Sequence, residues 1–296
     1  MRNPRAVSSG VLGVIGGSGL YDLPGLTGVR REKLSTPFGE PSDPIVVGRL
    51  GDQEIAFLPR HGIGHRLTPT EVNARANLHA LKQLGVTRVI SVSAVGSMKE
   101  EIAPGHLVLP AQYIDRTVAR PRTFFGEGIV VHVAFSDPVC PTLHQHLRAA
   151  CFAAGATVHA GGTYLCIEGP QFSTRAESEL YRSWKIDVIG MTALPEARLA
   201  REAELCYATL ALATDYDCWR AGHEAVTVEQ VVATIRQNVA LAREVVRNAA
   251  LGLSRLGERN CPCAHALEGA VMTAPAQISP AARARVALLL GDRYRS

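Results

Sequence analysis

The chain has 296 residues, 47% of them hydrophobic, and a formal net charge of +4. That length allows a large buried core in one α/β domain or two, and so slight a charge, with no basic run interleaved with aromatics, argues against a nucleic-acid partner. No apolar run approaches the roughly 20 residues of a membrane helix, and Gly13, Gly16, Gly17 and Gly19 spoil the segment after the basic N-terminus as a signal peptide, so a cytosolic location without membrane attachment is expected.

Residues 1–9 are expected to form a disordered leader. Residues 11–15 read as a short strand running into Gly16-Gly17-Ser18-Gly19. Glycines let a backbone close on an anion and aim its N–H groups at it. The spacing is not a dinucleotide fingerprint, because the third glycine position is Asp22, and no Gly-Lys-Ser/Thr makes it a Walker loop. Phosphate binding and an ordinary tight turn both stay open here. Strands at 45–48 and 54–58, joined by a turn at Gly51-Asp52, deliver Pro59-Arg60-His61-Gly62. Arg60 offers planar charge-assisted donors and His61 one more, which suits an anion. A surface arginine beside a loop histidine is the plain alternative. His61 and His65 lie four apart, but Gly62 and Gly64 disfavour a helix there and no acidic partner fits a zinc pattern, so no metal is expected. Thr68, Pro69 and Glu71 predict a capped helix ending at Gly85, with Val72, Ala76, Ala80 and Leu84 as its apolar stripe.

A buried strand at 89–95 ends in Ser93-Ala94-Val95-Gly96-Ser97. Small residues there leave room for a ligand, and their hydroxyls and N–H groups can donate to phosphate; a satisfied core hydroxyl explains Ser93 alone equally well. Next come a strand at 106–110, a loop at 115–125 and an edge strand at 130–135 holding His132. A lone histidine in such a place usually only decorates the surface. A helix at 143–154 stops at Gly155. A strand at 163–167 runs into Glu168-Gly169-Pro170-Gln171-Phe172-Ser173, where Phe172 can stack on a flat base or serve as a core aromatic. Thr174 and Glu177 form a second capping box, opening a helix to about Trp184.

The stretch 187–219 organises the rest. An apolar strand ends at Gly190-Met191-Thr192, a helix follows, and a strand at 206–214 stops at Thr214-Asp215-Tyr216-Asp217. A strand buried on both faces carries no charge until its end, and in an open α/β sheet ligands bind beyond the carboxyl ends of strands. If strand geometry persists, Asp215 and Asp217 project from one face. Together they can hold the donor edge of a heterocycle, with one protonated as an acid. Residues 227–256 read as one amphipathic helix with a capping box at Thr227 and Gln230; beyond Gly257 the composition turns irregular, with one more helix at 280–290. Among seven cysteines, Cys151, Cys166 and Cys218 look like ordinary thiols. Cys261-Pro262-Cys263 reads as a free pair or a small disulfide. A zinc site is disfavoured there because no matching second pair exists.

Strands alternating with helices make this an α/β protein. The motifs Gly16-Gly17-Ser18-Gly19, Thr36-Pro37-Phe38-Gly39, Arg60-His61-Gly62, Ser93-Ala94-Val95-Gly96-Ser97, Glu168-Gly169-Pro170, Phe172-Ser173 with Arg175-Ala176-Glu177-Ser178, Met191-Thr192, Pro195-Glu196, Glu202 and Thr214-Asp215-Tyr216-Asp217-Cys218-Trp219 jointly resemble the trimeric purine nucleoside phosphorylase family, in its branch acting on 5'-methylthioadenosine. The resemblance runs from about Gly13 to the end of the long helix. It implies a single-domain nucleoside-phosphorylase-like fold over 10–256, a mixed twisted sheet flanked by helices, with a C-terminal extension at 257–296. It implies phosphate binding by Ser18, Arg60, His61, Ser93, Ala94 and Thr192. Met191 is implied against the ribose, and Phe172, Val95 and Gly96 at the nucleoside. Asp215 and Asp217 are implied as the catalytic pair on N7 and the 6-amino edge. Ser173 and Val228 match positions that shape specificity, and His132 matches a residue lent to the neighbouring subunit of a homotrimer or dimer of trimers. Cys140 and Cys206 match segments that meet in the fold.

The implied reaction is phosphate-dependent cleavage of S-methyl-5'-thioadenosine to adenine and 5-methylthioribose 1-phosphate, a salvage step in which phosphate is a co-substrate and no cofactor or metal takes part. Three departures stand out: Ser18 and Ser93 replace threonines, and Gly190 stands where some members have Asn. Two other readings compete: a phosphorylase of 6-oxopurine nucleosides or methylthioinosine, which generally lacks the Asp-Tyr-Asp run, and a nucleotide-binding protein without turnover.

Overall fold

Runs rich in Val, Ile and Leu form most of the strands, as their preference for a pleated, half-buried surface dictates. They are β1 (Val11–Gly16), β2 (Thr27–Glu32), β3 (Ile45–Leu50), β4 (Gln53–Pro59), β5 (Val86–Ser97), β6 (Leu107–Leu109), β7 (Gln112–Arg116), β8 (Val158–Ala160), β9 (Thr163–Ile167), β10 (Val188–Gly190) and β11 (Cys206–Asp215). The helices are α1 (Ala74–Gln83), α2 (Pro141–Ala153), α3 (Arg175–Ser183), α4 (Ala193–Glu202), α5 (Val228–Gly252), α6 (Pro280–Arg285) and α7 (Ala287–Leu290). The computed structural model describes residues 10–220 and 228–291, without the side chains of Ser18, Tyr21, 228–233 and 235–237. The expected leader and the cap at Thr227 lie outside the described residues. Among those residues no helix is long and apolar enough to cross a membrane.

All strands join one mixed sheet in the order β2-β3-β4-β1-β5-β10-β9-β7, with β11 on β5, β6 on β11 and β8 on β6. β5 is the hub. Along one edge it pairs with β11 from Cys206↔Arg88 to Asp215↔Gly96. On the opposite edge it pairs with β1 as far as Ile15↔Ser91, and β10 takes over antiparallel only at Gly96 and Ser97. The segment 92–95 between them has no strand partner on that edge. The sheet therefore splits where Ser93 and Ala94 sit.

Packing holds this split in place. Side chains of β11 alternate between the two faces of the sheet. Tyr207, Ala211 and Ala213 join Leu78, Leu81, Ala197 and Leu199 of α1 and α4. Cys206, Ala208, Leu210 and Leu212 join Leu143, Leu147, Val245 and Val246 of α2 and α5. Truncating one such buried leucine costs about 2–5 kcal/mol, so the end of β11 is firmly positioned.

Several expectations need correction. Thr68 and Glu71 do bond, the Thr68 N–H and hydroxyl each donating to Glu71 Oε2 at 2.8 Å. They close a turn, and the helix starts at Ala74, where Asn73 Oδ1 accepts the Ala76 N–H at 3.1 Å; asparagine is among the strongest N-caps. β2 was invisible because Thr27–Glu32 is almost wholly exposed and carries no alternation. β7 begins in what read as the approach to a loop. Residues 130–135 form no strand, only the isolated bridge Val131↔Val271 to the C-terminal extension. α5 ends at Gly252 and tightens into a 3-10 turn at Leu253–Leu256. The helix expected at 280–290 breaks at Val286. The Cys-Pro-Cys tail does have a matching pair: the sulfurs of Cys140, Cys206, Cys261 and Cys263 all lie within 4.8 Å of one another. Cys140 and Cys206 thus meet, as the resemblance implied.

Candidate active site

The anion end is built around Arg60, which follows β4. Its N–H donates to Gly16 O at 2.9 Å, tying the glycine turn to the next strand end. The guanidinium is buried and already committed. Nε donates to Glu196 Oε1 at 2.5 Å, Nη2 to Glu196 Oε2 at 3.2 Å and Ser91 Oγ at 2.7 Å, and Nη1 to Val92 O at 2.9 Å. Ser91 Oγ and Tyr207 OH also donate to Glu196, at 2.9 and 3.2 Å. Of the five guanidinium N–H groups, only one on Nη1 stays outside these bonds. The sequence reading of Arg60 as a source of planar charge-assisted donors is narrowed to that one N–H, because the buried Glu196 carboxylate, with Ser91 and Val92, occupies the rest. Breaking such a pair from one side typically costs about 3–5 kcal/mol, which makes it a rigid support.

His61 is corrected in the same way. Its Nδ1 lies 2.9 Å from Leu67 O, so the ring proton goes to that carbonyl. Burial, with the Arg60 charge beside it, lowers its pKa to about 4. At neutral pH the ring is neutral and Nε2 is an acceptor, not the extra donor expected. The ring stacks on His65 at 4.4 Å.

Ser93 and Thr192 bring two further hydroxyls to this end of the site. Their hydroxyl oxygens are buried and have no hydrogen-bond partner, with the Tyr164 hydroxyl near both. A buried polar group left unpaired costs about 1–3 kcal/mol, and two at one split in the sheet are what a phosphate would satisfy. Thr192 precedes α4 without capping it, because the first turn is interrupted at Leu194 (φ −121°, ψ 137°). A small recess opens beside Thr192, lined by Arg60, Arg120, Thr192 and Glu196 among others. Ala94 lies on the unpaired edge of β5. Ser18 opens a 3-10 turn, Ser18–Tyr21, directly after β1.

Two residues were missed. Arg120 Nη1 donates to Met191 O at 2.6 Å and Leu194 O at 2.8 Å, and its Nη2 to Glu168 O at 2.7 Å. It pins the ends of β9 and β10 together. Glu168 accepts from Arg120 Nε at 3.0 Å, Thr70 Oγ1 at 2.5 Å, and the N–H groups of Val118 and Ala119 at 2.5 and 3.1 Å. Burial pushes its carboxyl upward, but these donors outweigh burial and hold it at about 2. Only the Glu168-Gly169-Pro170 motif hinted at this, and nothing near Arg120 did.

The carboxylate end lies where β11 stops. The register steps from Ala213↔Val95 to Asp215↔Gly96, so Thr214 is an extra, bulged residue, and bulges re-aim side chains. Asp217 then has φ +51°. The two carboxylates are therefore not brought to one face by strand periodicity, as expected, but by a turn in which the Asp217 N–H donates to Asp215 Oδ1 at 2.8 Å. Burial raises the pKa of both. Thr214 Oγ1 lies 2.6 Å from Asp215 Oδ2 and 3.2 Å from Val95 O. A hydroxyl has one hydrogen. Given to Asp215, the shorter contact, it steadies the ionised form; given to Val95, it leaves Thr214 Oγ1 to accept a proton carried by Asp215 Oδ2, so both protonation states fit the network and burial tips it toward the neutral one. At Gly96 a Cβ would lie 3.0 Å from Asp215 Oδ1 and 3.4 Å from the Asp217 Cβ, so β5 runs flush against the pair.

Around them, Met191 packs on Gly169, and any side chain at Gly190 would collide with the Tyr164 hydroxyl. That explains the missing Asn. Phe172 is 50% exposed, which removes the core-aromatic alternative. Ser173 Oγ is buried without a partner. Val228 opens α5, with its side chain outside the described residues. His132 is exposed, and its N–H donates to Ala270 O at 2.9 Å.

A branched mixed sheet with carboxylates at one strand end and phosphate-suited groups at its neighbours is the plan of a phosphorolytic enzyme class. Residues 11–250 match the Phosphorylase superfamily, and the chain belongs to that family. More particularly, it is 60% identical over 283 residues to the S-methyl-5'-thioadenosine phosphorylase of Geobacter sulfurreducens, covering 95% of this chain and 98% of that one. It is 55% identical to the protein of the same name from Koribacter versatilis, covering 96% of each. Among solved structures it resembles a methylthioadenosine phosphorylase from an antarctic soil metagenomic library (TM-score 0.91, 47% identity, 96% of this chain and 100% of that one). It also resembles the Schistosoma mansoni methylthioadenosine phosphorylase in complex with adenine (TM-score 0.80, 38% identity, 83% and 92%).

Proposed function

We propose that this chain cleaves the N-glycosidic bond of S-methyl-5'-thioadenosine with inorganic phosphate, giving adenine and 5-methylthioribose 1-phosphate. The observation that carries the reading is the half-buried Asp215–Asp217 pair, both raised in pKa by desolvation, at the end of the strand that pairs with the hub bearing the unpartnered Ser93 hydroxyl. As the bond to adenine breaks, the sugar becomes cationic, as at an oxocarbenium-like centre. Phosphate positioned by Ser93, Thr192 and the neighbouring backbone stabilises that cation and then traps it at the anomeric carbon. Adenine leaves poorly as an anion, so N7 must receive a proton. Asp215 gives it, and Asp217 accepts from the 6-amino group. Phosphate is the co-substrate and no cofactor is needed. Phe172, Met191, Val95 and Gly96 hold the nucleoside, with Ser173 and Val228 shaping its fit.

The working unit is a homo-oligomer built on a trimer. Exposed Phe172 and exposed His132 support this, since a neighbouring subunit would cover the one and use the other at the 5'-methylthio group. The test of function is release of free base from methylthioadenosine, adenosine and inosine, each with and without phosphate. Base release from methylthioadenosine that needs phosphate is expected. Binding without turnover would leave a nucleotide-binding protein instead.

A further inference from the structure

Four cysteines from three distant parts of the chain meet at the end of the molecule opposite the carboxylates. Cys140 immediately precedes α2, Cys206 opens β11, and Cys261 and Cys263 flank Pro262. All four are at least nine-tenths buried. None is disulfide-bonded. Their sulfurs lie within 4.8 Å of one another, and Cys206 and Cys261 are 3.3 Å apart. A disulfide needs about 2.05 Å. Four thiolates around zinc at about 2.3 Å, arranged tetrahedrally, stand about 3.8 Å apart. The observed group spans that spacing. Among the described residues it is the one cluster of His, Cys, Asp or Glu able to hold a metal ion.

We propose that these four cysteines form a closed structural zinc site. The surroundings suit a thiolate cluster. Cys140 stands at the N-cap of α2, where the positive end of the helix dipole favours a negatively charged ligand. The positive charge of Arg259 acts on Cys261, and Arg259 is itself fixed by donating to Thr87 O and Glu204 O at 2.9 and 2.6 Å. Four protein ligands leave no open coordination position, so the metal holds structure and takes no part in chemistry. Asp215 lies nine residues along β11, roughly 30 Å away at about 3.3 Å per residue.

What the site holds is the C-terminal extension. Beyond Cys263 that segment donates the Leu267 N–H to Glu204 Oε1 at 3.1 Å. It then accepts the His132 N–H at Ala270 and bridges Val131 at Val271. A metal at the four sulfurs would thus anchor the segment that carries the 130–133 strip.

The test is metal analysis of the full chain expressed with zinc and purified under reducing conditions. About one zinc per chain, surviving gel filtration, is the expected stoichiometry of a closed site. Cobalt reconstitution should give the intense visible bands of a tetrahedral tetrathiolate. Cys261→Ser and Cys263→Ser should each lose the metal and lower Tm, while Cys151→Ser, outside the cluster, should keep it. Metal-free wild-type protein that neither zinc nor cobalt can load, with four freely alkylated thiols or with bridges among them in peptide mapping, overturns the proposal.

Discussion

Asp215 is a carboxyl that burial, with the Asp217 charge beside it, pushes toward carrying a proton, against the pull of the Thr214 hydroxyl and the Asp217 N–H. Adenine presents an amino donor at C6 and an acceptor at N7, whereas hypoxanthine presents two acceptors, so one ionised and one neutral carboxyl fit only the first. Asp215→Asn keeps the shape but cannot deliver a proton. It should lower kcat/KM on methylthioadenosine by about 10²–10⁴, and lower it much less, or raise it, on inosine-type substrates. Equal losses on both would mean that Asp215 does not read the base. His61 yields a pH prediction. The unfolded chain protonates it near the ordinary pKa of about 6.5, the folded chain only near 4. Between these values the unfolded state binds more protons, so stability falls as pH drops from 6.5 to 4 and is unaffected by this group above 6.5. His61→Asn keeps an N–H for Leu67 O and has nothing to titrate. Its urea stability should decline less than wild type between pH 7 and 5, and parallel curves would refute the assignment. At this scale the sequence was a good guide to which residues gather and a poor one to their states. Arg60 and His61 were found by their strand end, but Glu196, 136 positions away, and the Leu67 carbonyl decide what they can donate.

Strands and helices were most legible where one physical rule governs them. β9 was read with its observed bounds because an apolar run is followed at once by Glu168-Gly169-Pro170. The box at α3 is complete, Thr174 Oγ1 accepting from the Glu177 N–H at 3.2 Å while the Thr174 N–H donates to Glu177 Oε2 at 2.7 Å. Thr174→Ala should cost about 1 kcal/mol, lowering Tm by roughly 2–4 °C in calorimetry. Because α3 follows Phe172 and Ser173 directly, KM for the nucleoside should rise more than KM for phosphate. An unchanged Tm would mean that the helix is held by packing alone. Legibility failed where two rules compete, as at Thr68–Glu71, whose box closes a turn because Asn73 caps the helix. It failed also at the Thr214 bulge, which depends on the partner strand and not on local sequence.

The whole molecule is open where a single chain leaves Phe172 and His132 exposed. His132→Ala should raise KM for methylthioadenosine while barely moving KM for phosphate, with sedimentation unchanged; a fully active monomer at assay concentration would remove the trimer from the account. The α/β class and the order of most elements could be read from alternation, but not the branching of the sheet at β5, a relation between strands as far apart as β1 and β10. The compensated arginine has a consequence for anion choice. With its charge offset by Glu196, the pocket cannot select its anion by charge alone. It offers hydroxyls that both give and accept hydrogen, and a neutral imidazole with an accepting nitrogen. Hydrogen phosphate brings a proton to such acceptors; sulfate, of the same shape and charge, brings none. A site built around a ligand's donor rejects an analogue lacking it, so sulfate should compete with phosphate only weakly, and arsenate, which keeps the proton, should replace it as a substrate.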